Sequence, residues 1–124
     1  MQEILVVEDN PPTREIYAYL LRGWGYQVCL AASTNEAISL IRTGCIPDAI
    51  VADYNLGGSD TGVAAIRAIE WQLGRPVPAV MVTGEYSLPN VGLPTFRKPI
   101  APEQLKKALD ELFARTQKPL SQRC

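Results

Sequence analysis

The chain has 124 residues, 47% of them hydrophobic and 20% charged, with 12 Lys and Arg against 13 Asp and Glu. That length suits one domain around a single hydrophobic core. The near balance of charge supplies neither a basic surface for nucleic acid nor an acidic disordered block.

There is no histidine, and the three cysteines, Cys29, Cys45 and Cys124, are widely spaced. Histidine catalysis, histidine-ligated metal and an internal phosphohistidine are therefore excluded. Carboxylates, hydroxyls, lysine and thiols are left to carry any chemistry. The lack of a C-x-x-C pair argues against a zinc site and a disulfide framework, and for a reducing compartment. Met1-Gln2-Glu3 and the short apolar run after it do not read as a signal peptide. No apolar run reaches membrane-spanning length. A cytoplasmic location without direct membrane contact is the expectation.

In chain order, Ile4 to Val7 is a short apolar run, as expected of a parallel strand covered on both faces, and it ends in Glu8-Asp9-Asn10. Pro11 to Gly23 reads as a helix with Ile16, Leu20 and Leu21 on its apolar face. Tyr26 to Leu30 reads as a second strand. Ser33 and Glu36 match a capping box, Ala37, Ile38 and Ile41 continue that helix, and Gly44 stops it. Ala49 to Ala52 is a third strand ending at Asp53. A Gly-rich loop from Leu56 to Gly62 leads to a helix marked by Val63, Ile66 and Ile69.

Ala79 to Val82 is a fourth strand, ending at Thr83-Gly84. Thr95 to Arg97 is a short fifth strand, and Pro102 opens a final amphipathic helix carrying Leu105, Ala108, Leu109, Leu112 and Phe113. Strands alternating with helices imply an α/β fold, a doubly wound five-stranded parallel sheet with helices on both faces. The expected domain covers 1–117, with 118–124 as a C-terminal tail.

Open α/β sheets collect ligands at the carboxyl ends of their strands. Four strand ends here carry polar groups: Glu8 and Asp9, Asp53, Thr83, and Lys98. Three clustered carboxylates repel one another, and a hard divalent cation such as Mg²⁺ relieves that repulsion. A carboxylate can attack phosphorus to give an aspartyl phosphate, with metal, lysine and hydroxyl groups stabilising the charge on the transferring group. Asp53, Thr83 and Lys98 are the reactive set on this reading. Taken singly, each has a plainer explanation. A strand-end Asp can be a loop starter, Glu8-Asp9-Asn10 can cap a helix, Thr83-Gly84 can be a turn, and Lys98 can be a surface lysine.

Val6-Val7-Glu8-Asp9-Asn10, Ala52-Asp53-Tyr54-Asn55-Leu56, Val82-Thr83-Gly84 and Arg97-Lys98-Pro99 together resemble the four sequence blocks of response-regulator receiver domains of two-component systems. The resemblance runs from about Glu3 to Phe113 and implies the flavodoxin-like receiver fold. It implies Asp53 as phosphoacceptor, Thr83 as switch hydroxyl and Lys98 as phosphoryl contact. It implies Mg²⁺ held by Glu8, Asp9, Asp53 and the backbone carbonyl of Asn55. It also implies room for phosphoryl entry at Gly84 and a cis Lys98–Pro99 bond. The implied partner is a histidine kinase or a histidine phosphotransfer domain, with homodimerisation within the family's habits and no nucleic acid bound by this domain.

Three features depart from the family pattern. Gly84 to Pro94 contains Pro89, Gly92 and Pro94, so the helix that usually precedes the last strand is expected to be missing or reduced to a turn. The position three before the lysine, usually aromatic, is Thr95, with Tyr86 as a substitute. Gly57 stands where proline is common. Gly57 to Gly62 and Val91-Gly92-Leu93-Pro94 resemble receivers attached to hybrid histidine kinases.

Two other readings compete. One is a docking module with the same fold that is not phosphorylated. The intact Glu8, Asp9, Asp53, Thr83 and Lys98 set weighs against it. The other is an aspartyl-phosphate hydrolase, which would want a carboxylate at position 55 and a covering cap. An enzyme is not the expectation.

Overall fold

A computed structural model describes residues 2–84 and 92–116. The elements are β1 (Glu3–Val7), α1 (Pro11–Gly23), β2 (Gln27–Ala31), α2 (Thr34–Arg42), β3 (Ala49–Asp53), α3 (Gly62–Leu73), β4 (Ala79–Thr83), β5 (Thr95–Arg97) and α4 (Pro102–Thr116). The five strands form one parallel sheet in the order β2-β1-β3-β4-β5. This is the doubly wound, flavodoxin-like arrangement expected from the alternation of elements.

The continuous apolar strands are explained by their two covered faces. Leu5 and Val7, Ile50 and Ala52, and Ala79 and Met81 pack into one core with Ala37 of α2 and Ala65, Ile66 and Ile69 of α3. Their alternates, Ile4 and Val6, Ala49 and Val51, and Val80 and Val82, pack into a second core with Tyr17 and Leu21 of α1 and Leu105, Leu109, Leu112 and Phe113 of α4. A one-residue slip of any central strand would only exchange one buried face for the other. The register is therefore fixed by side-chain size and by what each strand end must reach.

The helix starts follow local chemistry. Asn10 accepts from the Thr13 amide at 3.0 Å and caps α1, whose first residues are prolines. Ser33 accepts from the Glu36 amide at 3.1 Å, while the Glu36 carboxylate accepts from the Ala32 amide at 3.0 Å. Thr61 caps α3 by accepting from the Ala64 amide at 3.1 Å, and Gly74 ends that helix in the left-handed region.

Two details differ from the sequence expectation. β2 starts at Gln27, because the Tyr26 amide donates to the Leu21 carbonyl at 3.1 Å and closes the end of α1. The buried face of α1 is Tyr17, Ala18 and Leu21, whereas Ile16 is 58% exposed. The aromatic body of Tyr17 takes the place that hydropathy alone assigns to isoleucine.

Among the described residues no helix lies between β4 and β5, and residues 92–94 are non-helical. Residues 85–91, on which much of the expected missing helix and Tyr86 fall, lie outside the described residues, as do 118–124. No helix among the described residues is long and apolar enough to cross a membrane.

Candidate functional site

β1 sits between β2 and β3, so the chain leaves β1 on one side and returns on the other. The carboxyl ends of β1 and β3 therefore flank the crevice where strand order reverses. Glu8 and Asp9 follow β1, and Asp53 ends β3. The carboxylate oxygens of Glu8, Asp9 and Asp53 lie within 4.8 Å of one another. Glu8 is fully buried and Asp53 is 6% exposed, whereas Asp9 is open to solvent.

Lys98 closes this group. Its Nζ donates to Glu8 Oε1 at 2.7 Å and to Asp53 Oδ2 at 3.0 Å. One ammonium thus bridges two buried carboxylates and offsets half of their charge. The backbone that presents it is tied to β4, because the Lys98 amide donates to the Thr83 carbonyl at 2.7 Å. The Lys98–Pro99 peptide is cis. Thr83 is buried at the end of β4, where the register sets its neighbour Val82 opposite Asp53. Beyond it, no atom among the described residues lies within 4 Å of where a Cβ on Gly84 would sit.

The electrostatics follow from this packing. Burial raises the Glu8 pKa above the usual carboxylate value, and the repulsion of Asp53 adds to that, while hydrogen bonds from Lys98 and the Asn10 amide pull the other way. Burial disfavours the Lys98 ammonium, but its hydrogen bonds to Glu8 and Asp53 outweigh that, and its pKa ends above the ordinary lysine value. The lysine is held charged by the two groups it bridges.

The loop after β3 is fastened in place. The Asn55 amide donates to Asp53 Oδ1 at 3.3 Å, and Asn55 pairs with Thr61 in an antiparallel bridge. Gly62 donates its amide to the Tyr54 carbonyl at 2.8 Å, and a Cβ at position 62 would collide with the Asp53 carbonyl oxygen. Asp60 accepts from the Thr34 amide at 3.1 Å and from Thr34 Oγ1 at 2.6 Å, joining this loop to the start of α2. Sequence reading identified the Gly-rich loop but assigned no role to Gly62 or Asp60. The Cβ-free contact at Gly62 is a tertiary property. The partner of Asp60 lies far away in sequence. Position 95 carries a threonine whose hydroxyl donates to the Leu93 carbonyl at 2.9 Å.

Residues 4–110 match the response regulator receiver domain family. The chain belongs to that family.

It is 30% identical over 121 residues to the transcriptional regulatory protein ZraR of Salmonella typhimurium strain LT2, covering 92% of this chain and 27% of that protein. The chain thus spans about a quarter of that relative's length. The receiver domain of the sensor histidine kinase PA1611 from Pseudomonas aeruginosa PAO1, solved with magnesium coordinated in its active-site cleft, is 31% identical with a TM-score of 0.76, covering 91% of this chain and 98% of that one. The receiver domain of the hybrid histidine kinase CckA is 28% identical with a TM-score of 0.74, covering 89% of this chain and 97% of that one. The chain is a receiver domain of two-component signal transduction.

The acidic group fits a hard cation. Octahedral Mg²⁺ with oxygens at about 2.1 Å sets neighbouring ligands about 3 Å apart and opposite ones about 4 Å apart, inside the 4.8 Å within which the three carboxylates lie. All three donors are hard oxygens, and Asp9 faces solvent, where the waters that Mg²⁺ retains can sit.

Proposed function

We propose that this receiver accepts a phosphoryl group on Asp53 from a phosphohistidine of a histidine kinase or histidine phosphotransfer domain. The observation that carries the reading is the double contact of Lys98 with Glu8 and Asp53 at the strand-order switch. A buried carboxylate beside a fixed ammonium and two further carboxylates has little structural purpose, because burying charges costs more than their attraction returns unless the arrangement serves a site.

Glu8, Asp9, Asp53 and the Asn55 carbonyl would hold Mg²⁺, which supplies charge neutralisation for the incoming phosphoryl oxygens. The rest falls to the chain itself. A carboxylate oxygen of Asp53 forms the new O–P bond as the donor's N–P bond breaks and the imidazole nitrogen leaves with the bonding pair. Lys98 exchanges its contact with Asp53 for one with a phosphoryl oxygen. Thr83, one residue beyond the strand neighbour of Asp53, offers a hydroxyl to another. The lack of a side chain at Gly84 leaves the group room to enter past the described residues. With Thr95 lacking a ring, the altered surface is read without an aromatic at that position. The functional unit is 1–117, and a cytoplasmic setting suits a kinase-fed acceptor.

Intact-protein mass after incubation with acetyl phosphate and Mg²⁺ tests this. The parent should gain one base-labile phosphoryl group and Asp53→Asn none. If acetyl phosphate proves a poor donor, beryllofluoride binding that requires Asp53 supports the same reading. A chain that accepts neither refutes it.

A further inference from the structure

Away from the acidic pocket, toward the amino ends of the strands, three side chains unused by the phosphoryl chemistry meet. Cys29 Sγ, Cys45 Sγ and a carboxylate oxygen of Glu3 all lie within 4.8 Å of one another. The sheet explains two of them. Glu3 and Leu5 share a face of β1, and Cys29 is the register partner of Leu5 on β2, so Glu3 and Cys29 project to the same side. The third arrives with the turn after α2. There the Cys45 amide donates to the Leu40 carbonyl at 2.9 Å and closes the helix.

This turn is bolted to Glu3. The Ile46 amide donates to Glu3 Oε1 at 2.7 Å, the Glu3 amide donates to Asp48 Oδ2 at 2.8 Å, and the Asp48 amide donates to the Glu3 carbonyl at 2.7 Å. These bonds hold the carboxylate beside the two thiols, both of which also hydrogen-bond to it. Both cysteines are free thiols; Cys45 is buried, whereas Cys29 and Glu3 are partly exposed, so the group has a rigid floor and a wet side.

We propose that Glu3, Cys29 and Cys45 form a binding site for a thiophilic divalent cation of the zinc class, distinct from the acidic pocket. Tetrahedral coordination with sulfur at about 2.3 Å and oxygen at about 2.1 Å requires the donors to stand roughly 3.5 to 3.8 Å apart, which the observed 4.8 Å limit accommodates. A water from the exposed side supplies the fourth ligand. Donor chemistry separates the two sites: three hard carboxylates suit Mg²⁺, and two sulfurs with one carboxylate suit zinc and its softer relatives. The cysteines are invisible as a pair in sequence because the whole of α2 lies between them. Spacing along the chain gives no sign that the fold brings the two thiols together. A bound cation would tie β1, β2 and the end of α2 together.

Cadmium serves as probe, because thiolate ligation gives it an ultraviolet charge-transfer band that carboxylates do not. The titration uses a Cys124→Ser background under reducing conditions with saturating Mg²⁺ to occupy the acidic pocket. The expected result is a band saturating at one cadmium per chain, displaced by zinc, and absent from Cys29→Ser and Cys45→Ser. Glu3→Gln should retain the band with affinity lowered about tenfold, and Asp9→Ala should titrate like the parent. No band in the folded parent, a band that survives the Cys29→Ser/Cys45→Ser double variant, or cadmium that zinc does not displace would overturn the proposal. Should the serine variants fail to fold, the Glu3→Gln affinity and the zinc competition decide it.

Discussion

Lys98 is the residue on which the site balances. It touches Glu8 and Asp53 together, and Glu8 has no access to water. Lys98→Ala should lower stability by about 1–3 kcal/mol near neutral pH, because a buried acceptor pair loses its donor. The sign of the pH dependence follows from Glu8. Its folded pKa is raised, so its contribution is fully present below the unfolded value of 4.5 and declines as pH rises. Glu8 in the variant escapes the cost by staying protonated in acid. Urea denaturation should therefore show a smaller gap between parent and Lys98→Ala at pH 4 than at pH 7, and an equal gap at both would count against the double contact. At this scale the sequence was highly legible. Asp53 and Thr83 end their strands, Glu8, Asp9 and Lys98 directly follow theirs, and a parallel sheet brings strand ends together. What was not legible was that one lysine serves two carboxylates, since that depends on side-chain reach.

At the scale of elements, the β3–α3 connection sets where Asp53 points. Gly62 starts α3 against the Asp53 carbonyl, and Asp60 ties the same loop to α2. Gly62→Ala forces the helix start away from β3. It should cost about 1–3 kcal/mol, as other overpacking changes do, and should slow phosphorylation of Asp53 because the loop moves with it. Thermal melting and the rate of phosphoryl gain check the two halves, and an alanine variant matching the parent in both would show that the contact is slack. Helix starts at Asn10, Ser33 and Thr61 all use local side chains. The Asn10 and Ser33 caps were readable from short motifs, whereas the Gly-rich loop gave no sign that Thr61 caps α3. The burial of Tyr17 in place of Ile16 was not readable either, because an isolated helix pattern does not reveal which stripe the sheet will cover.

For the whole molecule, the two cores cover both faces of the central strands β1, β3 and β4, and α1 contributes a buried phenol that alkaline conditions can exploit. Burial pushes the Tyr17 pKa from 10 up to about 12. The folded value is the higher one, so the stabilisation is complete below about pH 10 and disappears as pH rises through 12. Tyr17→Phe lacks that liability. Between pH 10 and 12 the parent should lose about 2 kcal/mol more than the variant, and parallel alkaline denaturation curves would contradict this. The alternation of strands and helices made the doubly wound sheet legible from sequence, since period and length suffice to choose it. The central claim is that Asp53 is the phosphoacceptor, and borohydride tests it most directly by reducing an aspartyl phosphate to homoserine. After phosphorylation and reduction, peptide mass spectrometry should find homoserine at position 53. Homoserine at position 9, or a reduced Glu8, with Asp53 intact would contradict the account.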